Sequence, residues 1–349
     1  MVAISIILPI YNDGEIIEKS INSVEKQTFK DVELICVDDG STDKSLDTLY
    51  NLSEKYEFVK VVSQDHKGPG KARNYGMDIA EGKYIAFLNV GDCFADENAL
   101  ERLYDDASLN DANMVSGNSL HKANNSNQIV PFDNVGYFTE NKVILPEDYG
   151  MPWSFYKSIY KTTFLRDNEI YFPDLLRGQD PVFLAEILSK IDKIYAVATD
   201  VYAYVFYDAI DRCNTPRKLH DQILHYKIVF DYLPEPRFKK AVFDFKKAFI
   251  WFLDQLSDED LKTSLDIIDD VFDEDSRILI EVKDHFIIKD LKKEKKKLLK
   301  ENKKLKKEIK KLKKENKEIL NSKSWKVTKP LRKIRNMWLI KVNQWLKFL

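Results

Sequence analysis

Two adjacent carboxylates follow a wholly apolar segment in Val37-Asp38-Asp39-Gly40-Ser41-Thr42-Asp43. Gly40 lets the backbone turn, and Ser41 or Thr42 suffices to cap a following helix. Capping needs one side chain, whereas neighbouring carboxylates repel each other, so the pair points to a ligand whose base or ribose donates hydrogen bonds. Four further loops carry groups suited to the same ligand. Leu8-Pro9-Ile10-Tyr11-Asn12 closes a strand at a proline without an N–H and presents a ring that either stacks on a base or packs in the core. Gly68-Pro69-Gly70-Lys71-Ala72-Arg73-Asn74 joins glycines, which permit close backbone approach, to two cations at a helix start. That combination suits a diphosphate, although its spacing is not that of a Walker loop and an exposed turn is the plain alternative. Asn89-Val90-Gly91-Asp92 offers one carboxylate, Asp92, which with a diphosphate and waters can hold Mg2+ or Mn2+. In Arg177-Gly178-Gln179-Asp180-Pro181, Asp180 either caps the helix expected over 182–188 or acts as a general base towards an acceptor hydroxyl.

The segments between these loops describe the scaffold that must position them. Residues 3–10, 32–37, 58–62 and 84–88 are short apolar runs rich in β-branched and aromatic side chains. Between them, 14–26, 42–55 and 70–80 have helical length, with Ile17, Ile21 and Val24, then Leu46, Leu49 and Leu52, at helical spacing. The alternation predicts an α/β fold with a parallel sheet covered on both faces. A helix over 97–107 and a strand over 112–116 extend it. Ligands of such sheets bind beyond the carboxyl ends of the strands, which is where the loops at Pro9, Asp38, Gln64 and Asn89 emerge. Residues 120–145 are polar and Asn-rich and read as a long loop or insertion. Residues 150–210 return to mixed structure with Trp153, Phe155, Tyr156 and Tyr160, and 217–284 read as helical, strongly acidic over 258–275.

With 349 residues, 44% of them hydrophobic, the chain can bury a sizeable core. Its net charge of -2 hides a division: 289–349 hold 24 basic and 6 acidic residues, the remainder 31 and 51. Such asymmetry implies a basic tail with its own partner. Cys36, Cys93 and Cys213 lie far apart and show neither zinc spacing nor a disulfide framework, which fits a reducing compartment. Met1 leads into a strand-like segment without a basic n-region, so no signal peptide is expected, and no run of 18 apolar residues marks a membrane span. The expected location is cytoplasmic, peripheral on the inner face of the cell membrane.

Leu291, Leu298, Leu305, Leu312 and Ile319 recur every seven residues, each preceded by three positions by Ile288, Lys295, Asn302, Ile309 or Asn316. This heptad predicts a coiled coil over 287–320 and hence a homodimer; a solvated single helix is the alternative. After Pro330, Ile334, Trp338, Val342, Trp345 and Leu349 share one side of a basic helix, and 321–349 contain no acid. Cationic helices bearing Trp lie on anionic membrane surfaces, while docking on the catalytic domain would explain the pattern equally. Nucleic acid is excluded as a partner by the acidic first part, which lacks a basic stripe.

Taken in order, Ile6-Ile7-Leu8-Pro9-Ile10-Tyr11-Asn12, Gln27-Thr28, the Val37–Asp43 loop, Lys67 through Gly76 and Gly82-Lys83-Tyr84-Ile85-Ala86-Phe87-Leu88 resemble a family-2 glycosyltransferase with the GT-A fold. The likeness is strong over 1–118 and looser to about 210. It implies a nucleotide-binding sheet, parallel or mixed, in a catalytic domain over 1–215, followed by a helical extension (216–286), the coiled coil and an amphipathic tail (321–349). It further implies a nucleotide-sugar donor, UDP-linked, bound by Pro9, Tyr11, Asn12, Asp38, Asp39, Gly70, Lys71, Arg73, Asn74 and Asn89. Asp180 would be the base of an inverting transfer to a glycan or lipid-linked acceptor, and Asp92 the ligand of Mg2+ or Mn2+. The sequence departs from the family where Asp-x-Asp-Asp is usual and Asn89-Val90-Gly91-Asp92 stands, and in a 204–214 loop whose one cation is Arg212. The competing functional reading is a nucleotide-sugar-binding scaffold without turnover, dimerised through its coiled coil. A nucleotidyltransferase would want a basic Gly-rich loop after the first strand, which Asn12-Asp13-Gly14 does not provide.

Overall fold

The computed structural model describes residues 2–122, 129–131, 137–204, 215–273, 276–321 and 331–348. Arg212, Cys213 and the 322–330 segment of the tail lie outside the described residues.

Strands β1 (Ile4–Ile10), β2 (Val32–Asp38), β3 (Val59–Ser63) and β4 (Tyr84–Phe87) alternate with helices α1 (Ile17–Glu25), α2 (Ser45–Lys55) and α3 (Pro69–Ile79). The strands pair in parallel in the order β3-β2-β1-β4. Every residue of β1 except Pro9 is buried, as a strand of a parallel sheet covered on both faces must be, and its one polar side chain, Ser5, is satisfied by Glu33 of β2. Helix α3 packs on β1 and β2, and α2 on β2 and β3. β2 runs one residue further than expected, so Asp38 is its last member, level with Ile10 and Ser63.

Beyond β4 the sheet becomes mixed. β5 (Cys93–Phe94) is followed by α4 (Ala99–Asn110) and the long strand β6 (Met114–Lys122). β7 (Ile129–Pro131) and β8 (Lys142–Ile144) come from the polar stretch read as loop or insertion and join the sheet beside β6 and a later strand. β9 (Ser158–Lys161) runs antiparallel between β4 and β6; then come α5 (Thr162–Asp167), α6 (Gln179–Lys190) and β10 (Ile194–Tyr204), parallel to β6. Behind the β4 end lies an aromatic cluster: Phe155 meets Phe87 and Phe172 edge-on at 5.2 Å each, and Phe172 stacks on Phe183 at 4.1 Å. Such pairs contribute about 1 kcal/mol each beyond their buried area and fix the wall behind the site.

Three helices follow, α7 (Pro216–Tyr232), α8 (Lys239–Asp254) and α9 (Asp258–Val271). α7 is capped by Thr215, which accepts from the Lys218 N–H, and Pro216 stands in its first turn. Tyr226, Phe249 and Phe272 stack in series to hold the three together. One compact unit spans Met1–Leu279 and contains both the sheet and these helices. The second unit, Ile280–Leu349, holds most of α10 (Arg277–Asn321) and all of α11 (Leu331–Phe348). α10 is one uninterrupted helix of 45 residues, and its heptad leucines 291, 298, 305 and 312 are each 57–59% exposed. No helix of the described residues is long and apolar enough to cross a membrane.

Candidate active site

The loops at the carboxyl edge of the sheet form two linked clusters. In the first, the Asp39 carboxylate is buried and takes donors from a single loop. It accepts from Gln64 Nε2 at 2.6 Å and from the backbone N–H of Lys67 and Gly68 at 2.9 and 2.7 Å, with His66 Nδ1 at 2.9 Å. His66 also stacks on Tyr11, ring centroids 4.0 Å apart, and the Tyr11 side of that stack is open to solvent. Asp38 accepts from Ser63 Oγ at 3.1 Å and from the Ser41 N–H. Asn12, in the left-handed region at φ 56°, uses its side-chain carbonyl to hold the Thr42 N–H at 2.8 Å, while its own N–H donates to Ser41 Oγ.

The second cluster is built round Arg73, on the buried face of α3. Its guanidinium lies 5.1 Å from the ring centroids of both Phe155 and Phe172. It donates to Asn89 Oδ1 at 2.9 Å and reaches Asp180 Oδ1 at 3.5 Å. The Asn89–Asp92 loop is fixed from two sides. Ser20 of α1 accepts from the Gly91 N–H and donates to the Asp92 carbonyl, while Tyr202 of β10 accepts from the Asn89 N–H and donates to Asp92 Oδ2 at 2.7 Å. Asn89 Nδ2 donates to the same Asp92 oxygen at 3.3 Å. Helix α3 links the clusters: the Gly68 N–H at its start holds Asp39, and Arg73 one turn later holds Asn89 and Asp180.

Asp180 opens into a cavity of about 330 Å3 also lined by Asn89, Trp153, Tyr156, Arg177 and Tyr204. Its side chain is 43% exposed through the cavity mouth, yet the protein packed round the carboxyl raises its pKa above the ordinary 3.8. Arg73 and Arg177 oppose that shift. Asp180 does not cap α6: that position belongs to Gly178, and Asp180 stands in the first turn, where a carboxylate is favoured by the helix dipole.

Residues 5–166 match the sequence profile of glycosyl transferase family 2. These residues belong to that family. Over 214 residues the chain is 32% identical to a poly(ribitol-phosphate) beta-glucosyltransferase of Bacillus spizizenii, covering 58% of this chain and 32% of that protein. It is 28% identical over 214 residues to the glycosyltransferase GlyG of Streptococcus pneumoniae, covering 58% of this chain and 70% of that one. The chain thus spans about a third of the length of the Bacillus relative. Among solved structures, TarS of S. aureus in complex with UDP-GlcNAc matches with a TM-score of 0.66 and 21% identity over 77% of this chain and 80% of that one, a likeness of fold.

The structure brings Arg73, Asn89 and Asp92 of the matched stretch together with Asp180, which lies beyond it, and sets Pro9, Tyr11, Asn12, Asp38 and Asp39 at the adjoining strand ends. Gly70 sits at the start of α3 against the Gln179 side chain, where a Cβ would come within 3.1 Å. Lys71 is half open and 3.7 Å from Asp174. Asn74 is engaged with backbone: it donates to the Phe172 carbonyl at 2.8 Å and accepts from the Phe172 N–H at 2.9 Å. Among the described residues no group of three or more His, Cys, Asp or Glu could cage a metal ion. Asp92 is the one carboxylate of its loop, and it is buried with Oδ2 already accepting from Tyr202 and Asn89. Sequence reasoning missed Gln64 and His66, which hold Asp39, and Tyr202, which holds Asp92.

Gly178 is bound to the cavity wall by geometry. At φ +78° an added Cβ would stand 2.1 Å from Cγ of His225, a buried ring whose pKa burial pushes down to about 3. Gly178→Ala is expected to cost about 2–4 kcal/mol through backbone strain and overpacking, read by urea denaturation; an unchanged midpoint would contradict the packing described.

Proposed function

We propose that the chain moves a sugar from a UDP-sugar to a hydroxyl of a surface polysaccharide, wall polymer or glycolipid acceptor, by a single displacement that inverts the anomeric centre. The observation that carries this reading is the Asp180 carboxyl, raised in pKa by its packing, facing an aromatic-lined cavity next to Arg73 and the Asn89–Asp92 loop. The relative named for glucosylating poly(ribitol-phosphate) and the fold shared with a UDP-GlcNAc complex support it. The nucleoside would lie over Tyr11 and the Asp38–Asp39 edge, with the diphosphate towards Lys71 and Arg73 at the start of α3. The acceptor oxygen gives its proton to the Asp180 carboxylate and forms a bond to the anomeric carbon. The bond from that carbon to the diphosphate oxygen breaks, and UDP departs with the electron pair. A raised pKa suits the role, since burial makes the Asp180 carboxylate a stronger base than an ordinary exposed one. Mg2+ or Mn2+ carried on the diphosphate, held by Asp92, would screen the leaving charge. Calorimetric titration of the full chain with UDP, GDP and CDP tests the donor site: UDP is expected to bind, and absence of binding by all three would overturn the reading.

Two further parts of the proposal concern the second unit. The exposed heptad leucines of α10 make a parallel or antiparallel homodimer the state that buries them. Sedimentation equilibrium is expected to give twice the chain mass, falling to the chain mass in Leu298→Lys/Leu305→Lys. On α11, Trp338 and Trp345 are 62% and 69% exposed and lie two turns apart. They fit an anionic membrane surface, so full-length chain is expected to sediment with phosphatidylglycerol vesicles, and a chain ending before Ser322 to remain in the supernatant. Equal sedimentation of both would contradict the anchor.

A further inference from the structure

A second cavity, of about 980 Å3, lies between the 137–153 segment and α8. It shares Trp153 with the cavity that holds Asp180, so the two are neighbours across one indole. Lys240, Asp244, Lys247, Ala248 and Trp251 line it from α8, and their spacing of 4, 3, 1 and 3 residues places them on a single helix face. That stripe runs roughly 16 Å at the helical rise, longer than a single reacting hydroxyl requires. Lys142 faces it from the other wall, with Tyr149 in the floor. Trp251 is 66% exposed, and all three lysines are exposed; Asp148 and Asp244 also contribute to the lining. Neither the transfer step nor the donor needs any of these groups.

We infer that this groove is a subsite for the chain of a polymeric acceptor that carries regularly spaced anionic groups. The inference rests on the transferase reading above. Aromatic faces such as Trp153 and Trp251 bind the C–H surfaces of sugars and polyols, and lysines on a flexible stem bind phosphate or carboxylate as point charges. An acceptor whose hydroxyl meets Asp180 must extend its remaining length past the cavity wall, and the groove beyond Trp153 receives it. Anionic units then settle against Lys142, Lys240 and Lys247, which holds the acceptor in register while the terminal or internal hydroxyl is presented.

The test is a calorimetric titration of the full chain, and of its Lys240→Gln/Lys247→Gln and Trp251→Ala variants, with three probes of equal length. They are a ribitol-phosphate oligomer, a galacturonate oligomer and a neutral glucan oligomer, so phosphate and carboxylate sources are separated. At least one anionic oligomer is expected to bind, more tightly than its monomer, and to weaken about tenfold in the double lysine variant and severalfold in Trp251→Ala. UDP affinity, titrated into the same samples, is expected to stay unchanged, because the substituted side chains are exposed and outside the donor cluster. Three results overturn the subsite while leaving the transferase reading intact: UDP bound with no oligomer bound, oligomer affinity equal in all three proteins, or the neutral glucan bound as well as either anionic probe. Failure to bind UDP would overturn the transferase reading and the subsite with it.

Discussion

Asp180→Asn is expected to lower UDP-sugar turnover by about 10^3-fold and to leave UDP affinity within about twofold. The amide has the shape of the carboxyl, and its oxygen can still accept from the Arg73 guanidinium, which reaches Asp180 Oδ1 at 3.5 Å. What it loses is the lone pair basic enough to take a proton from the acceptor hydroxyl. In the proposed site the nucleoside lies at the other cluster, by Asp39 and the 64–68 loop, and the amide keeps an oxygen for Arg73, so nucleotide binding is expected to change little. The wild-type rate falls on the acid side as Asp180 becomes protonated, and burial moves that fall above the usual carboxylate range. The variant has no such limb. UDP release measured across pH, together with a nucleotide titration, checks both halves; full turnover in the variant would remove Asp180 from its role.

Arg73→Leu is expected to cost about 2–3 kcal/mol in stability and to reduce turnover by at least tenfold. Leucine fits between Phe155 and Phe172, so the loss is electrostatic rather than one of volume. Asn89 Oδ1 loses its donor inside the fold, and Asp180 loses the stronger of the two cationic influences that lower its pKa. The sign follows: without Arg73 the carboxyl is held protonated to higher pH, so the acid limb of the rate profile shifts upward. Arg73→Lys restores charge but not the fork that serves Asn89 and Asp180 together, and is expected to fall between the two. Urea denaturation reads the first effect and the pH profile the second. A profile identical to wild type would show that Arg73 does not act on Asp180.

The first half of the fold was legible because its physics is local. β1, β2 and β4 are largely apolar runs, which a strand buried on both faces needs, and β3 at the edge of the sheet is partly open. β5, β7 and β8 were not legible, since two or three residues carry no period and their places are set by partners as distant as β10. The site divides in the same way. Asp38, Asp39 and Asp180 stood out because unpaired carboxylates at strand and helix ends demand a reason. The roles of Asn12 and Asn74 could not be separated by type: the same amide that would bind a ribose here ties backbone to backbone. In the sequence Arg73 and Lys71 are two equivalent cations at a helix start suited to a diphosphate, and only the fold separates them, with Arg73 buried and Lys71 half open. Tyr202 lies 110 residues from Asp92 and carries no motif, so nothing short of the β6–β10 pairing could have brought it to the site.

The central claim is that this site turns a donor over rather than only holding it. Incubating the full chain with a panel of UDP-sugars, with and without Mn2+, and measuring released UDP tests that claim most directly. Release above the buffer background from at least one donor, abolished in Asp180→Asn, is the predicted result. UDP that binds tightly while every donor remains intact would contradict it, and would leave the chain a nucleotide-sugar-binding scaffold.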